Sequence, residues 1–234
     1  MDQPAAPATL PYGTPDTPRL AVRGEARLDE VDPELARLQI TVAARGTDRR
    51  TALESLTRRN KDVLDLVTSY GDAIETQETG AFTLTPELTA KGRHERVRAY
   101  HGRVHLTVTV TDFTVLGELT TRLGDTELTT VNGPWWALRP DSPAHREARQ
   151  EAVRQAVRRA REYAGALGAS LVALVELADL EAENGTMTPA AVAAPRSRSG
   201  YGGAEQAPAL DLEPMRQTVY AQVNARFTMT RPEL

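Results

Sequence analysis

The sequence predicts an α+β fold: a mainly antiparallel sheet with three helices, in the order ββαββαβαββ. Apolar residues alternate with polar ones along several segments, which is the period of a half-buried strand. In other segments apolar residues recur every third or fourth position, which indicates amphipathic helices. Strands that follow each other without a helix are expected to pair as antiparallel hairpins, which excludes a doubly wound sheet. Strand–helix–strand passages leave room for some parallel pairing.

The first strands follow a proline-rich segment. Residues 1–18 contain five prolines and predict an extended, disordered arm before an ordered domain at 19–231. "RLAVRGEARL" predicts the first strand, in which Gly24 indicates a bulge or a close backbone approach. Asp32-Pro33 predicts a turn into "ELARLQITVAARG", a second, half-buried strand.

A helix and a pair of strands come next. The helix is predicted over about 47–70 and is ended by Gly71. "AIETQETGAFTLTPEL" predicts a strand kinked at Gly80, followed by the loop "TAKGRHER". The return strand at about 96–111 shows the clearest alternation in the sequence, with valine or leucine at every second position from Val104 to Val110.

The second half of the chain supplies two helices and three strands. A short helix is predicted to begin at Asp112 as N-cap and to end at Gly124, before the strand "ELTTVNGPWWALR". A long helix begins at Ser142 and ends at Gly168. "LVALVELADL" predicts a buried strand, residues 181–214 predict a flexible insertion rich in Pro, Ala, Gly and Ser, and "RQTVYAQVNARFTMT" predicts the last strand.

Composition excludes several classes of protein. The net charge of −4 argues against a general polyanion binder, and the absence of cysteine excludes disulfides, thiolate nucleophiles and cysteine metal sites. No segment approaches the roughly 18 apolar residues of a membrane span, so we expect no membrane partner. The N-terminus has neither a basic n-region nor an apolar h-region, which predicts a cytoplasmic protein.

The elements and their motifs together resemble the SIMPL domain, or DUF541, family. "VRGEARLDEVDPELARLQITV" is similar to the family's first two strands, with Gly24 in place, Ala26 where a second glycine often stands, and Asp32-Pro33 as a shifted Pro-Asp. "IETQETGAFTLTPE" carries a disturbed Gln-Thr motif at Thr76-Gln77. "YHGRVHLTVTVTDFTVLGEL" and "EARQEAVRQAVRRAREYAGALGASL" are similar to two later blocks, of which the last is the most specific.

The resemblance covers residues 19–230 and implies an α+β fold and a tendency to oligomerise. Bacterial relatives include exported proteins linked to stress tolerance and immunogenicity, and an animal relative is an adaptor that binds a signalling kinase. The family has no catalytic residues to transfer to this chain. It implies action through a homo-oligomer or an unknown protein partner rather than catalysis.

The long helix carries a line of small residues at every fourth position: Ala144, Ala148, Ala152, Ala156, Ala160 and Ala164. Such a line allows two backbones to approach closely and predicts a helix that lies flat on the sheet. Arginines crowd the other faces of this helix, residues 142–167, and leave nucleic-acid binding as one alternative. Glutamates interrupt them, and Glu151–Arg154 and Arg158–Glu162 have the spacing of helical ion pairs, so a solvated face is favoured.

The sequence predicts neither an enzyme nor a metal or cofactor site. His101 and His105 share a strand face, but four strand residues span roughly 13 Å, too far for one metal ion. His94 and His145 have no neighbouring ligand pattern, and the phosphate-binding, hydrolase and metalloprotease motifs are missing. A small-molecule binder or enzyme with a pocket between helices and sheet remains the second hypothesis.

The candidate interface residues are Trp135, Trp136 and Tyr220. Consecutive strand residues face opposite sides, so one of the two tryptophans is expected in the core and the other at the surface. The first hypothesis is therefore a non-catalytic protein that assembles, or binds a partner, through sheet edges and the tryptophan region.

Overall fold

The computed structural model describes residues 13–88, 96–179 and 209–234. Its strands and helices are β1 Arg19–Val31, β2 Leu35–Gly46, α1 Arg49–Thr68, β3 Ile74–Leu88, β4 Val97–Val110, α2 Leu116–Gly124, β5 Thr129–Ala137, α3 Pro143–Ala166, β6 Leu171–Asp179 and β7 Gln217–Met229. This is the predicted α+β class and element order. Residues 1–12 of the predicted arm and residues 181–208 of the predicted insertion lie outside the described residues.

The described chain divides into two compact units, each with its own sheet. The first contains 13–31, 140–179 and 218–234, and its sheet has the order β1-β7-β6. The second contains 32–88, 96–139 and 209–217, and its sheet has the order β3-β4-β2-β5. β2 pairs antiparallel with β4 and β5, as do β3 with β4 and β6 with β7. The hydrogen bonds from Met229 N–H to Pro18 O and from Thr218 Oγ1 to Asp29, at opposite ends of β1, show that β1 and β7 are antiparallel as well.

The predicted hairpin between the first two strands is wrong. β3–β4 and β6–β7 pair as neighbours, but β1 joins β7 while β2 lies between β4 and β5. Glu30 adopts φ +63°, a left-handed conformation that turns the chain at the end of β1. The proline turn at 32–33 thus connects two sheets instead of closing one hairpin, because each strand finds its partners far along the chain.

In the first unit α3 packs against β1 through its alanine line. Ala148, Ala152, Ala156, Ala160 and Ala164 are all buried, while Ala144 at the start of the helix is only half-buried. The helix begins with Ser142 as N-cap and Pro143 in its first turn, as predicted. The alternation along β7 is also confirmed, since residues from Val219 to Met229 are buried at every second position.

The two backbones come closest at Gly24 of β1. A Cβ placed on Gly24 would lie 2.0 Å from Ala152 O and 2.8 Å from Ala156 Cβ. The absence of a side chain there and the small side chains of α3 are therefore complementary. The predicted close backbone approach at Gly24 is confirmed.

The core of the second unit lies between its sheet and α1 with α2. Leu38, Ile40 and Val42 of β2 alternate into this core, as do the predicted even-numbered residues of β4. Asp48 caps α1 by accepting from Thr51 N–H at 2.9 Å. Asp112 caps a short 3₁₀ turn, Phe113–Val115, that precedes α2, so the helix proper begins three residues later than the predicted first turn. The odd-numbered side chains of β2 from Arg37 to Arg45, and of β4 from His101 to Thr107, lie on the opposite face, which we call the open face, and are exposed or half-buried.

The prediction of a buried strand at "LVALVELADL" is wrong. Among the described strands β6 pairs with β7 alone, as an edge strand, and most of its side chains are exposed. Two register shifts interrupt its ladder, one between Leu171 and Ala173 and one between Leu174 and Glu176. α3 lies mainly over β1, so it leaves the apolar residues of β6 uncovered within the described structure.

Candidate interface surfaces

The two tryptophans of β5 occupy different environments, as predicted. Trp136 pairs with Ala36 and packs into the core of the second unit, where its ring meets Phe113 edge to face at 4.9 Å. Trp135 pairs with Arg37 on the open face and is 48% exposed. Trp136 therefore has a structural role, and Trp135 is the member of the pair that is available for contact.

Tyr220 belongs to β7 in the first unit and is 55% exposed. The guanidinium of Arg27 lies 5.5 Å from the centre of its ring, within the range of a cation–π interaction. Arg27 in turn donates to Asp29 at 2.7 Å. The tyrosine is thus an accessible surface residue, but it shares no unit with Trp135 and Trp136, and its role at an interface stays a prediction.

The arginine face of α3 is partly neutralised by Glu151. Glu151 accepts from Arg154 at 3.1 Å, the predicted pair, and from Arg158 at 2.7 Å. The prediction that Arg158 pairs with Glu162 is wrong, because one carboxylate with two oxygens binds both guanidiniums. These hydrogen bonds, that of Arg158 first, lower the pKa of Glu151. The ion pairs give the helix a solvated face and leave fewer cations free for a polyanion.

An apolar surface, which we call the β6 strip, is formed by Val172, Leu174, Val175 and Leu177. Their exposed fractions are 59%, 54%, 48% and 46%. Glu176, which stands among them, forms an ion pair with Arg226 of β7. The strip therefore presents four large apolar side chains and no unpaired charge on an edge strand. The sequence did not indicate it, because an apolar run such as "LVALV" is typical of a strand buried on both faces.

A charged cluster on β2, β3 and β4 centres on Glu87. His101 Nε2 lies 2.7 Å from Glu87 Oε2, Arg45 donates to the same oxygen at 2.8 Å, and Arg98 lies 3.7 Å from the other oxygen. The hydrogen bond with His101 contributes most to lowering the pKa of the Glu87 carboxyl. His105, which follows on the same strand, bonds Thr41 at 2.9 Å.

The described residues contain no group of three or more His, Asp or Glu side chains that could hold a metal ion. His94, which the sequence placed in the β3–β4 loop, lies outside the described residues. None of the helices in the described ranges combines the length and the apolar composition that a membrane crossing requires.

The Glu87 cluster is expected to make the free energy of unfolding depend on pH in the acid range. Because the pKa of Glu87 is lowered by folding, its stabilising effect is present above its ordinary pKa of 4.5 and is lost as the pH falls through the lower, folded value. We expect E87Q to be less stable than the parent chain at about pH 7 and the difference to shrink at about pH 3. Urea unfolding of both chains at the two pH values checks this, and a pH-independent difference would contradict it.

A cavity of about 440 Å³ lies beside α2 in the second unit. Leu66, Thr121, Arg122 and Ala209 are among the residues that line it. Leu210 N–H donates to Thr121 Oγ1 at 3.0 Å, so the segment from Ala209 closes one side. Its described lining residues come from α1, from α2 and the turn that follows it, and from this segment.

Comparison with known proteins identifies a family. The SIMPL family model, described as a protein of unknown function (DUF541), matches residues 20–227. No curated protein matches. Among solved structures, a crystal structure from Burkholderia cenocepacia, provisionally described as an amidohydrolase/peptidase, matches with 16% identity and a TM-score of 0.26. The match covers 56% of this chain and 35% of that one, so the chain spans about a third of the length of that protein.

Proposed function

Because the chain belongs to the SIMPL (DUF541) family, we propose that it is a non-catalytic protein that acts by self-association, with the β6 strip as the contact surface. The observation that carries this proposal is the exposure of four large apolar side chains on an edge strand. Unpaired strand edges invite pairing with another chain, and a closed symmetric oligomer removes them.

The energetics favour pairing of β6 with β6 of a second copy over contact between side chains alone. Covering one half-exposed valine or leucine contributes roughly 1 kcal/mol. The eight side chains of two strips thus contribute about 8 kcal/mol, which lies within the estimated cost of association of about 4–15 kcal/mol. Backbone hydrogen bonds along the free edge of β6 then have to supply the surplus, and edge-to-edge pairing provides them.

The mass in solution tests the proposal. We expect light scattering after size exclusion to give a defined multiple of 25.5 kDa for the full chain at micromolar concentration. Replacing Val172 and Val175 by lysine places two charges in the strip and should return the mass to that of a monomer. Leu53→Lys is the matched control, because Leu53 is 44% exposed on α1, outside the strip.

A monomeric parent chain would overturn the self-association proposal, and an oligomer that survives the double lysine variant would move the contact away from β6. Trp135→Ala, Trp136→Ala and Tyr220→Ala extend the same measurement to the interface residues predicted from the sequence. A variant that dissociates the assembly while remaining folded would place its residue at the contact. By analogy with bacterial relatives, we attach to this proposal a stress-related role.

A further inference from the structure

A mixed aromatic and polar surface, which we call the Trp135 patch, lies on the open face of the four-stranded sheet at its β5 edge. It consists of Trp135, Arg37, Gln39 and Asn132. Arg37 pairs with Trp135 and Gln39 with Asn132 in the register of β2 and β5. Directly opposed residues of antiparallel strands share a face. The four side chains therefore form two adjacent cross-strand pairs.

The side chains of the patch are exposed and their polar groups are unused. Trp135 is 48% exposed, and Arg37, Gln39 and Asn132 are exposed as well. In the described ranges of the chain, the three polar side chains make no hydrogen bond or ion pair. The indole of Trp135 thus has two amides and a guanidinium as neighbours. All three groups have hydrogen-bond donors that are not in use, and the two amides also have unused acceptors.

A bulge in β5 sets the position of the indole. The register shifts after Arg37, so that two residues, 133 and 134, stand opposite Leu38. Gly133 has φ +115°, and a Cβ on it would lie 2.7 Å from Arg37 O and 3.4 Å from Trp135 Cε3. Bulges of this kind re-aim a neighbouring side chain. The edge of the Trp135 ring lies over the bare Gly133, which holds the ring in place without burying its exposed part.

We propose that the Trp135 patch binds a neutral oligosaccharide. A pyranose ring has an apolar face of C–H groups and an edge of hydroxyls that both donate and accept hydrogen bonds. A tryptophan ring offers a flat apolar surface for the C–H face of the sugar, together with an N–H donor. The amides of Gln39 and Asn132 match the hydroxyl edge, because each amide carries a donor and an acceptor.

The size and charge of the surroundings favour this ligand over a nucleic acid. The row through Gln39 continues to Thr107 of β4 and Glu78 of β3, so it runs from Asn132 across four strands, or about 14 Å. This length accommodates several sugar rings. A groove for single-stranded nucleic acid combines stacking aromatics with many cations. This face instead carries Arg37 in the row of Trp135 and Glu78 at the β3 end of the next row, in a chain of net charge −4.

Isothermal titration calorimetry of the full chain with maltohexaose, cellohexaose and chitohexaose tests the proposal. We expect saturable binding of at least one of them, with a shift of tryptophan emission and an affinity that changes little between about 0.05 and 0.5 M NaCl. Trp135→Ala should weaken binding at least about tenfold. Trp135→Phe should restore most of it, because the flat ring is kept. Tyr163→Ala is the matched control, an aromatic residue 54% exposed on α3.

The absence of binding to all three sugars would overturn the proposal, as would binding that survives Trp135→Ala. Binding of a thymidine oligonucleotide alone, with steep salt dependence, would overturn it in favour of a nucleic acid. The lysine variants of Val172 and Val175 separate this site from self-association. They should lose the oligomer and keep sugar binding, whereas Trp135→Ala should lose sugar binding and keep the oligomer.

Discussion

Replacing Gly24 by alanine is expected to lower the free energy of unfolding by about 3 kcal/mol. The new Cβ would lie 2.0 Å from the carbonyl oxygen of Ala152, a backbone atom that no side-chain rotation can move. Relief requires α3 to shift away from β1, which opens the buried alanine line along several turns. Urea unfolding followed by circular dichroism measures the loss.

Gly165→Ala is the matched control for Gly24→Ala. Gly165 lies in the last turn of α3, and a Cβ on it would have nothing within 4 Å. Alanine is favoured over glycine inside a helix by roughly 0.5–1 kcal/mol, so this variant should be as stable as the parent chain or more stable. Equal stability of the two variants would show that β1 and α3 are not in close contact at Gly24.

Trp136→Ala is expected to lower the free energy of unfolding by about 2 kcal/mol, whereas Trp135→Ala should change it by less than about 0.5 kcal/mol. Full truncation of a buried tryptophan costs about 3–5 kcal/mol, and Trp136 is half-buried against the core and Phe113. Trp135 loses little packing because nearly half of it is exposed. Denaturant unfolding of both variants gives the comparison directly.

The Trp136→Ala result also separates the roles of the two tryptophans. Loss of stability confined to Trp136 would confirm that it anchors β5 to the core of the second unit. The stable Trp135→Ala variant would then serve as a folded reagent for the sugar and mass measurements. A larger loss for Trp135 than for Trp136 would contradict the assignment of faces along β5.

Structural features that depend on residues close together in the chain were predictable from the sequence. Alternation along β4 and β7, the cap at Ser142, and the small residues of α3 all depend on a few adjacent positions. Local backbone periods and capping hydrogen bonds have the same form in any fold. The alanine line predicted close packing for this reason, and Gly24 proved to be its partner.

The candidate site was predictable only in part. The alternation of strand faces predicted that one tryptophan would be exposed, but not that it would be Trp135. Arg37, Gln39 and Asn132 carried no signal of their own, because their meeting depends on the pairing of β2 with β5 and on the bulge at Gly133. The Glu87 cluster likewise needs three strands in register.

The elements, their order and the inward faces of β2, β4 and β7 could be predicted from the amino-acid sequence, because they follow from interactions within a few residues. Which strands pair became clear from the three-dimensional structure alone. It separated β1 from β2 despite the turn between them, and it placed β6 at an edge although its apolar run is typical of a buried strand. Strand pairing depends on contacts between residues far apart in the chain. An edge strand differs from a central strand because it has one neighbouring strand instead of two. The two surfaces proposed here, the β6 strip and the Trp135 patch, both arise from that pairing.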